Sequence, residues 1–484
     1  MNLNLFKTSR YNTMFDKNIL NTIKNNGLQN IAYKGNFGLE KENLRVTENG
    51  NLAMTPHPKA FGDKLNNPYI TVDFSESQVE MITPPVNSIN ELYTLLENLH
   101  DSISIELKNE YLWPQSVPPN IPKEEDIPIA HFNGTLKGKD SEKYRRMLAE
   151  TYGRNTQLLS GIHYNFSFKD EFLEELNNLI APEKSLKEFK NYIYLKISRN
   201  YIKYHWLVIY LIGASSAVHE TYFNKCLHHL CKCMNNMKKK DNYYYSHDAI
   251  SFRHGRCGYR NKENLFVSFN SIDQYIEDLE ELVKEGTITG AREFYSPIRI
   301  KTKPTNDIFT TLKNSGIQYL EVRTIDINPY CKAGIEIKDL HFIHIFLLYC
   351  LLLEDCELSN MDYHMAIENH DMAAMSGKAE DQKLYKYEGG RTLLRKWASE
   401  LFSNMEKLIN KLDFNKDFYL DILKFEKKKL KDDENMYSTK IVEDVLNSDL
   451  ILFHINKAKE YLVKSNKRKK ELEKYKPVFG IKSQ

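Results

Sequence analysis

Four short segments of this 484-residue chain place charged or metal-binding side chains at every second position. They are GLEKENLR (38–45), DFSESQVE (73–80), GIHYNFS (161–167) and YLEVRTID (319–326). Alternate residues of an extended strand face the same side of a sheet. The pattern therefore predicts four polar strand faces, which consist of Glu40 and Glu42; of Glu76, Gln78 and Glu80, with Asp73 entering from the preceding turn; of His163, Asn165 and Ser167; and of Glu321 and Arg323.

The clustered carboxylates indicate what chemistry these faces could perform. One such strand is typical of a half-exposed antiparallel sheet whose polar face lies in water. Four of them, most with Glu at the centre, indicate like charges that cations must offset. Carboxylate oxygens with one His suit Mg²⁺ or Mn²⁺, and Mg²⁺ usually bridges carboxylates to nucleotide phosphates. The residues alone favour metal-assisted phosphoryl transfer to an acceptor that they do not identify.

The two common phosphate-binding motifs, GxxxxGK[ST] and a helix-opening GxGxxG, do not occur in the sequence. ATP would therefore be held mainly by metals and basic side chains. The candidates are Arg299, Lys301 and Lys303 in PIRIKTK (297–303), together with Arg253 and Arg323. For Lys301 and Lys303, a basic strand edge in water is an equally good interpretation.

Helices and strands that would position these side chains alternate irregularly. Ser88 and Glu91 form an S-x-x-E capping box that predicts a helix over 89–110. Further helices are predicted over 141–158, 170–179, 185–212, 218–237, 271–284, 336–354, 391–411 and 441–473, and strands over 38–46, 79–84, 162–168, 265–269 and 319–326. Because the order is not a regular βαβ alternation, it predicts an α+β fold, a mostly antiparallel sheet surrounded by helices.

The overall composition is that of an ordinary globular protein, with 41% hydrophobic and 27% charged residues. A net charge of +2 predicts neither a nucleic acid nor a membrane as a partner. The basic stretch 464–476 is interpreted as a solvated helix face. The longest apolar run, 345–353, falls far short of the roughly 20 residues of a membrane span.

Seven scattered cysteines, with no signal peptide at the start of the sequence, predict a reducing cytoplasm and free thiols. On a helix, Cys226, His229 and Cys233 would share one face, as in a zinc site. An amphipathic helix with incidental thiols is the simpler interpretation of this segment, 225–245.

Seven stretches, in order along the chain, resemble the proteobacterial-type glutamate–cysteine ligase family. They are GLEKENLRV (38–46), HPKAFGDKLNNPYITVDFSESQVEMITP (57–84), LWPQSVP (112–118), YGRNTQLLSGIHYNFS (152–167), YIKYHWLVIYLIGASSAV (201–218), EFYSPIRIK (293–301) and YLEVRTIDINPY (319–330). The resemblance implies a glutamine-synthetase-like fold, in which a curved antiparallel sheet forms a funnel surrounded by helices. It also implies ATP-dependent joining of the L-glutamate γ-carboxyl to the L-cysteine amine through γ-glutamyl phosphate, with Mg²⁺ or Mn²⁺ as the metal.

The same resemblance implies roles for individual residues. The family's metal ligands fall on Glu40, Glu42, Asp73, Glu80, His163 and Glu321. Arg323 falls where the family contacts the transferring phosphate, and Arg253 and Asn165 fall near the glutamate substrate. The cysteine pocket falls on Phe74, Tyr144, Arg145, Leu148, Gln157, Tyr259 and Tyr295, where the sequence GYRN (258–261) matches the family's Gly-Tyr-x-Asn.

The resemblance covers about 300 residues. A single catalytic unit is expected over 1–484, with a sheet-bearing core at about 30–335 and a mainly helical part at about 336–484. A chain of this length leaves no room for an appended ATP-grasp domain, so a separate glutathione synthetase is expected to act downstream. Three alternatives stay open: a γ-glutamyl ligase with another amine acceptor, a non-catalytic regulator, and a phosphotransferase.

Overall fold

A computed structural model of the protein describes residues 15–224, 236–305 and 307–482. Its strands are β1 Gly35–Thr47, β2 Ile70–Val72, β3 Gln78–Ile82, β4 Glu110–Leu112, β5 Ile162–Phe168, β6 Ala217–His219, β7 Lys238–Lys240, β8 Tyr243–Tyr245, β9 Ile298–Lys301, β10 Tyr319–Ile325, β11 Lys383–Tyr385 and β12 Arg391–Leu393. The main sheet has the order β2-β3-β1-β5-β10-β9, with β4 beside β1, and every described pair in it is antiparallel.

The helices cover one side of this sheet and build the last third of the chain. They are α1 Lys17–Asn25, α2 Gln29–Ala32, α3 Ile89–Glu106, α4 Leu136–Tyr152, α5 Asp170–Ile180, α6 Leu186–Tyr204, α7 Trp206–Ile212, α8 Glu220–Phe223, α9 Ile272–Lys284, α10 Ile308–Ser315, α11 Ile337–Leu352, α12 Asn360–Ser376, α13 Leu394–Leu412, α14 Lys416–Lys431, α15 Tyr437–Asn447, α16 Leu450–Lys467 and α17 Lys469–Leu472. The predicted α+β class with an antiparallel sheet is therefore confirmed.

The apolar face of the sheet determines which way its polar face points. Leu39, Tyr164, Phe166, Leu320 and Val322 are fully buried on the helix-covered side, where α3, α6 and α7 contact the strands. Burying each such side chain is worth about 1.5–3 kcal/mol. A register slip of one residue would expose all of them to solvent, so their burial also holds the alternate charged residues on the opposite face.

Two predictions about strands are wrong, and the helix predicted over 218–237 is wrong at its start, where Ala217–His219 forms β6. The predicted strand 265–269 is irregular, because its backbone bonds to side chains: Ser268 N–H donates to Asp278 (2.6 Å) and Phe269 C=O accepts from Arg199 (2.6 Å). Glu76 does not lie on the same face as Glu80, because a turn at 76–77 interrupts the predicted strand. The Glu76 carboxylate instead accepts the backbone N–H groups of His57 and His131, each at 2.7 Å.

The part after residue 336 is mainly helical, as predicted, apart from the β11–β12 hairpin. Its helix α11 is almost wholly buried and belongs to the same hydrophobic core as the sheet. The division into a core and a helical part stays a prediction. In the described part of the chain, no helix is both long and apolar enough to cross a membrane.

The cysteine prediction is confirmed only in part. Cys331, Cys350 and Cys356 carry free thiols. Cys257 is disulfide-bonded, so the prediction of free thiols is wrong there, since cysteine count and spacing do not reveal which thiols lie close in space. Cys226, His229 and Cys233 lie outside the described residues.

Candidate active site

Strand register brings the predicted metal ligands together on one sheet face. Glu40 pairs with His163 across β1 and β5, and Glu42 pairs with Glu80 across β1 and β3. Glu321 of β10 lies opposite Asn165 of β5. Cross-strand partners in an antiparallel pair lie about 4.5–5.5 Å apart, so the sheet itself gathers these side chains.

Glu40, His163 and Glu321 form a first group with the donor set of a metal site. Each offers one ligand atom, and the three atoms lie within 4.8 Å of one another. His163 Nδ1 is 3.3 Å from Glu40 Oε2, and Asn165 Nδ2 donates to Glu40 Oε1 at 2.9 Å. Burial and the charge of Arg323 lower the pKa of His163 to about 4. The imidazole is therefore neutral at pH 7 and can act as a ligand, which fits a hard divalent cation.

Glu42, Asp73 and Glu80 form a second group, which carries excess negative charge. Burial, reinforced by Asp73, raises the pKa of Glu42 to about 8. Burial and the neighbouring carboxylates also raise the pKa of Glu80 well above its usual value, and burial raises that of Asp73. Arg145 bonds to backbone carbonyls beside this group, those of Val72 (3.0 Å) and Asp73. A divalent cation would relieve this repulsion, so this group also fits a metal.

Basic side chains converge on Glu321 from two strands. Lys301 Nζ and Arg323 Nη1 each lie 2.6 Å from a Glu321 carboxylate oxygen, and Arg299 Nη1 lies 3.8 Å away. Burial opposes ionisation of Glu321, but these cations outweigh it and hold the pKa well below its usual range. Glu321 is therefore charged, and it keeps Lys301 and Arg323 aimed into the same space.

These groups open into one cavity of about 820 Å³. The predicted residues that line it are Glu40, Glu42, Asp73, Glu80, Tyr144, Leu148, His163, Tyr259, Tyr295, Arg299, Lys301, Lys303, Glu321 and Arg323. This volume is typical of a small-molecule site.

Five predicted residues do not line this cavity. Phe74 and Gln157 are buried, and each exposes only 1% of its surface. Asn165 supports Glu40, and Arg145 supports the backbone at Asp73. The fifth, Arg253, lines a smaller adjoining cavity together with Arg323, Tyr259 and Tyr295.

Arg253 lies against Gly161, immediately before β5. A Cβ atom at Gly161 would lie 2.1 Å from Nη2 of Arg253, so only glycine lets the guanidinium lie in its present position. Gly161 also donates its N–H to Glu42 at 2.9 Å. Among the described residues, Arg253 forms an ion pair only with Asp326, whose Oδ1 lies 3.9 Å from Nη1.

The sequence interpretation missed one side of the cavity. Thr302, Thr305, Ile308, Leu312 and Tyr319 line it beside the basic residues. Tyr319 could have been found, because it stands two residues before Glu321 on the same strand and shares its face. The others follow β9 in a loop and helix, where strand alternation carries no signal.

Comparison with known proteins adds independent support. The family model described as "Glutamate-cysteine ligase" matches residues 20–289 and 283–373. A glutamate–cysteine ligase of Clostridium acetobutylicum is 36% identical over 455 residues, which cover 86% of this chain and 93% of that protein.

The chain belongs to the glutamate–cysteine ligase family. The family resemblance read from the sequence is thereby confirmed.

Other family relatives differ in length and in what their names describe. The glutathione biosynthesis bifunctional protein GshAB of Clostridium perfringens is 42% identical over 449 residues, 92% of this chain but 56% of that protein. The chain thus spans about half the length of the bifunctional relatives it matches. A crystal structure of the Francisella tularensis glutamate–cysteine ligase in complex with AMP matches with a TM-score of 0.83 and 27% identity, covering 92% of both chains.

Proposed function

We propose that the protein joins the γ-carboxyl of L-glutamate to the amine of L-cysteine at the expense of ATP. The products are γ-glutamylcysteine, ADP and phosphate, and a separate glutathione synthetase consumes the first of these in the cytoplasm. One observation carries the proposal. A single cavity contains both the carboxylates that could bind a metal and the basic residues Lys301 and Arg323, which are paired with Glu321.

The reaction needs activation, because a free carboxylate is a poor electrophile. An oxygen of the glutamate γ-carboxylate attacks the terminal phosphorus of ATP, and ADP leaves. The product of this step is γ-glutamyl phosphate. The cysteine amine then attacks the acyl carbon, phosphate leaves and the amine loses a proton. The negative charge that gathers on the transferring phosphoryl group is what cationic side chains must stabilise.

The first group (Glu40, His163 and Glu321) and the second group (Glu42, Asp73 and Glu80) would hold Mg²⁺ or Mn²⁺. The metal would neutralise phosphate charge when bound. Arg323 and Lys301 donate to the Glu321 carboxylate, which fixes their direction, and their charges would stabilise the transferring phosphoryl group. Arg299 and Lys303 line the same side of the cavity and would contact the remaining phosphates. The apolar side chains of Ile308 and Leu312 beside them suit a nucleotide base. The complex of the Francisella tularensis relative with AMP supports a nucleotide site in this fold.

The two amino acids would occupy the inner part of the site. The charge of Arg253 and the amide of Asn165 suit the polar ends of glutamate. Tyr259 and Tyr295, whose ring centroids lie 4.4 Å apart, form an aromatic wall for the small thiol side chain of cysteine. Tyr144 and Leu148 complete that wall.

The test is release of ADP from Mg-ATP with glutamate, measured with and without cysteine, and mass spectrometry of the product. We expect ADP release to require both amino acids and γ-glutamylcysteine to accumulate. ADP release with another amine but not with cysteine would retain the activation chemistry and refute the acceptor. Binding of ATP with no turnover at all would refute the ligase proposal and favour a regulator.

A further inference from the structure

His254 lies beside Arg253 at the point where that arginine enters the small cavity next to the main one. Arg253 Nη1 is 3.0 Å from Nε2 of His254. A guanidinium can only donate, so Nε2 must accept, and the ring is the neutral tautomer with its proton on Nδ1. Burial and the charge of Arg253 keep the pKa of His254 well below its usual value, which agrees with a neutral ring.

The position of His254 is itself fixed from two sides. Its N–H donates to Ser251 Oγ at 3.2 Å, and its C=O accepts from His370 Nε2 of α12 at 2.8 Å. His370 Nδ1 lies 2.8 Å from Nε2 of His205, at the junction of α6 and α7. The backbone of His254 is therefore held by its own loop and by α12, which in turn contacts the junction of α6 and α7.

Arg253 has a competing partner, Asp326, which lies beside His254, because Oδ1 of Asp326 is 3.6 Å from Nε2 of His254. Oδ1 of the buried Asp326 lies 3.9 Å from Nη1 of Arg253 and has no hydrogen-bond partner among the described residues. Nε of Arg253 is likewise buried without a partner there. A small rotation of the guanidinium towards Asp326 would form an ion pair and withdraw the charge from the cavity.

We propose that His254 is a positioning residue that holds the Arg253 guanidinium towards a substrate carboxylate and away from Asp326. This inference rests on the proposed function, in which that carboxylate belongs to glutamate. His254 touches no reacting atom. Its effect is confined to the affinity for the amino acid that Arg253 binds, because the phosphoryl-transfer residues Arg323 and Lys301 are held by Glu321 instead.

The experiment compares His254→Ala and His254→Gln with the wild type. A hydrogen bond to a charged group supports an increase of about 10- to 100-fold in KM for glutamate in His254→Ala. KM for ATP and kcat should stay within about 3-fold of wild type, because a uniform binding contact affects KM and not turnover. Glutamine keeps an acceptor oxygen, so His254→Gln should restore KM for glutamate to within about 5-fold of wild type.

The control is His247→Gln, an exposed histidine on the same loop region that should leave all constants unchanged. Calorimetric titration of glutamate into each variant gives a readout that does not depend on turnover. Unchanged glutamate affinity in both His254 variants would overturn the inference, and so would an equal rise in every KM. A wild type that binds glutamate but makes no γ-glutamyl product would instead refute the proposed function and leave the His254 test intact.

Discussion

Gly161→Ala offers a sharp test of where the Arg253 guanidinium must lie. The three atoms nearest to the new Cβ would be Nη2, Cζ and Nε of Arg253, at 2.1, 2.3 and 2.7 Å. Ordinary contact begins at 3.4 Å, so the guanidinium must retreat by more than 1 Å. All three atoms belong to the end of a flexible side chain, so the collision is relieved without moving the backbone.

The expected effects on function and on stability are therefore very different. A misplacement of about 1 Å in a positioned group costs on the order of 10²-fold in rate, so we expect kcat/KM for glutamate to fall by about that factor. Stability should fall by no more than about 2–3 kcal/mol. Nη1 of Arg253 makes three hydrogen bonds, to Nε2 of His254 at 3.0 Å and to the carbonyls of Arg323 and Ile325 at 3.3 Å. Each is worth about 1 kcal/mol, and the entropy lost by the unfolded chain on Gly→Ala returns about 0.4–1 kcal/mol.

Steady-state kinetics and urea unfolding measure the two quantities. The matched control is Gly38→Ala, on the neighbouring strand β1, whose new Cβ would meet Asn165 at an ordinary 3.5 Å. It should leave both quantities near those of wild type. Normal glutamate kinetics in a folded Gly161→Ala protein would refute the position or the role assigned to Arg253. A loss of several kcal/mol of stability would refute the claim that the side chain absorbs the collision.

Three further predictions address the charges of the site and of the helical part. Glu321→Gln removes the charge that aims two cations into the cavity, so kcat should fall on the order of 10²–10³-fold with an unchanged circular dichroism spectrum; near-normal turnover would refute the metal and phosphate assignments. In the metal-free protein, Glu42 has a pKa of about 8 against 4.5 in the unfolded chain, so the folded protein holds a proton that the unfolded chain has lost, and stability falls as pH rises through that interval. Mg²⁺ displaces that proton, so the increase in Tm on adding MgCl₂ to EDTA-treated protein should grow from pH 5 to pH 8, and a constant or shrinking increase would contradict this. In the helical part, Glu426 and Asp339 are both fully buried and share Lys429 (2.9 and 3.2 Å), and burial raises the pKa of Glu426 well above its usual value. Glu426→Gln should therefore unfold in urea within about 1 kcal/mol of wild type, whereas Lys429→Met should lose about 3–5 kcal/mol; the reverse order would show that Glu426 is ionised.

Strand alternation carried most of what could be predicted about the site. The strand over 162–168 was predicted with the bounds that the structure has, and Glu40, His163 and Glu321 do share one face. The prediction succeeded because burial of the alternate apolar side chains fixes the face of every charged neighbour. It failed at Glu76, where a turn interrupts the strand, so that alternate residues no longer share a face. The surrounding residues are polar, so no apolar pattern in the sequence indicates the turn.

Contacts between distant segments could not be predicted in this way. Nothing in the spacing of residues shows that Arg253 lies on Gly161, or that Lys301 of β9 reaches Glu321 of β10. The family resemblance supplied the identities of these residues but not their partners. It also ascribed Arg145 and Gln157 to the cysteine pocket, whereas the structure has Arg145 bonded to backbone carbonyls and Gln157 fully enclosed.

The distribution of charge across the cavity suggests an order for loading the site. On the β1–β3 side, burial and neighbouring carboxylates raise the pKa of Glu42 to about 8 and that of Glu80 well above its usual value, whereas on the β9–β10 side Lys301 and Arg323 pair with Glu321. Nucleotide phosphates that enter before a cation would be attracted by the β9–β10 wall alone, because the protonated carboxyl groups of the other wall offer no positive charge. Once divalent cations occupy the carboxylate side, both walls favour phosphate, and each bound species further stabilises the fold by mass action. We therefore expect ATP affinity to depend on free Mg²⁺ far more steeply than complexation of ATP alone explains, and ATP binding that is equally tight in EDTA would contradict this electrostatic argument.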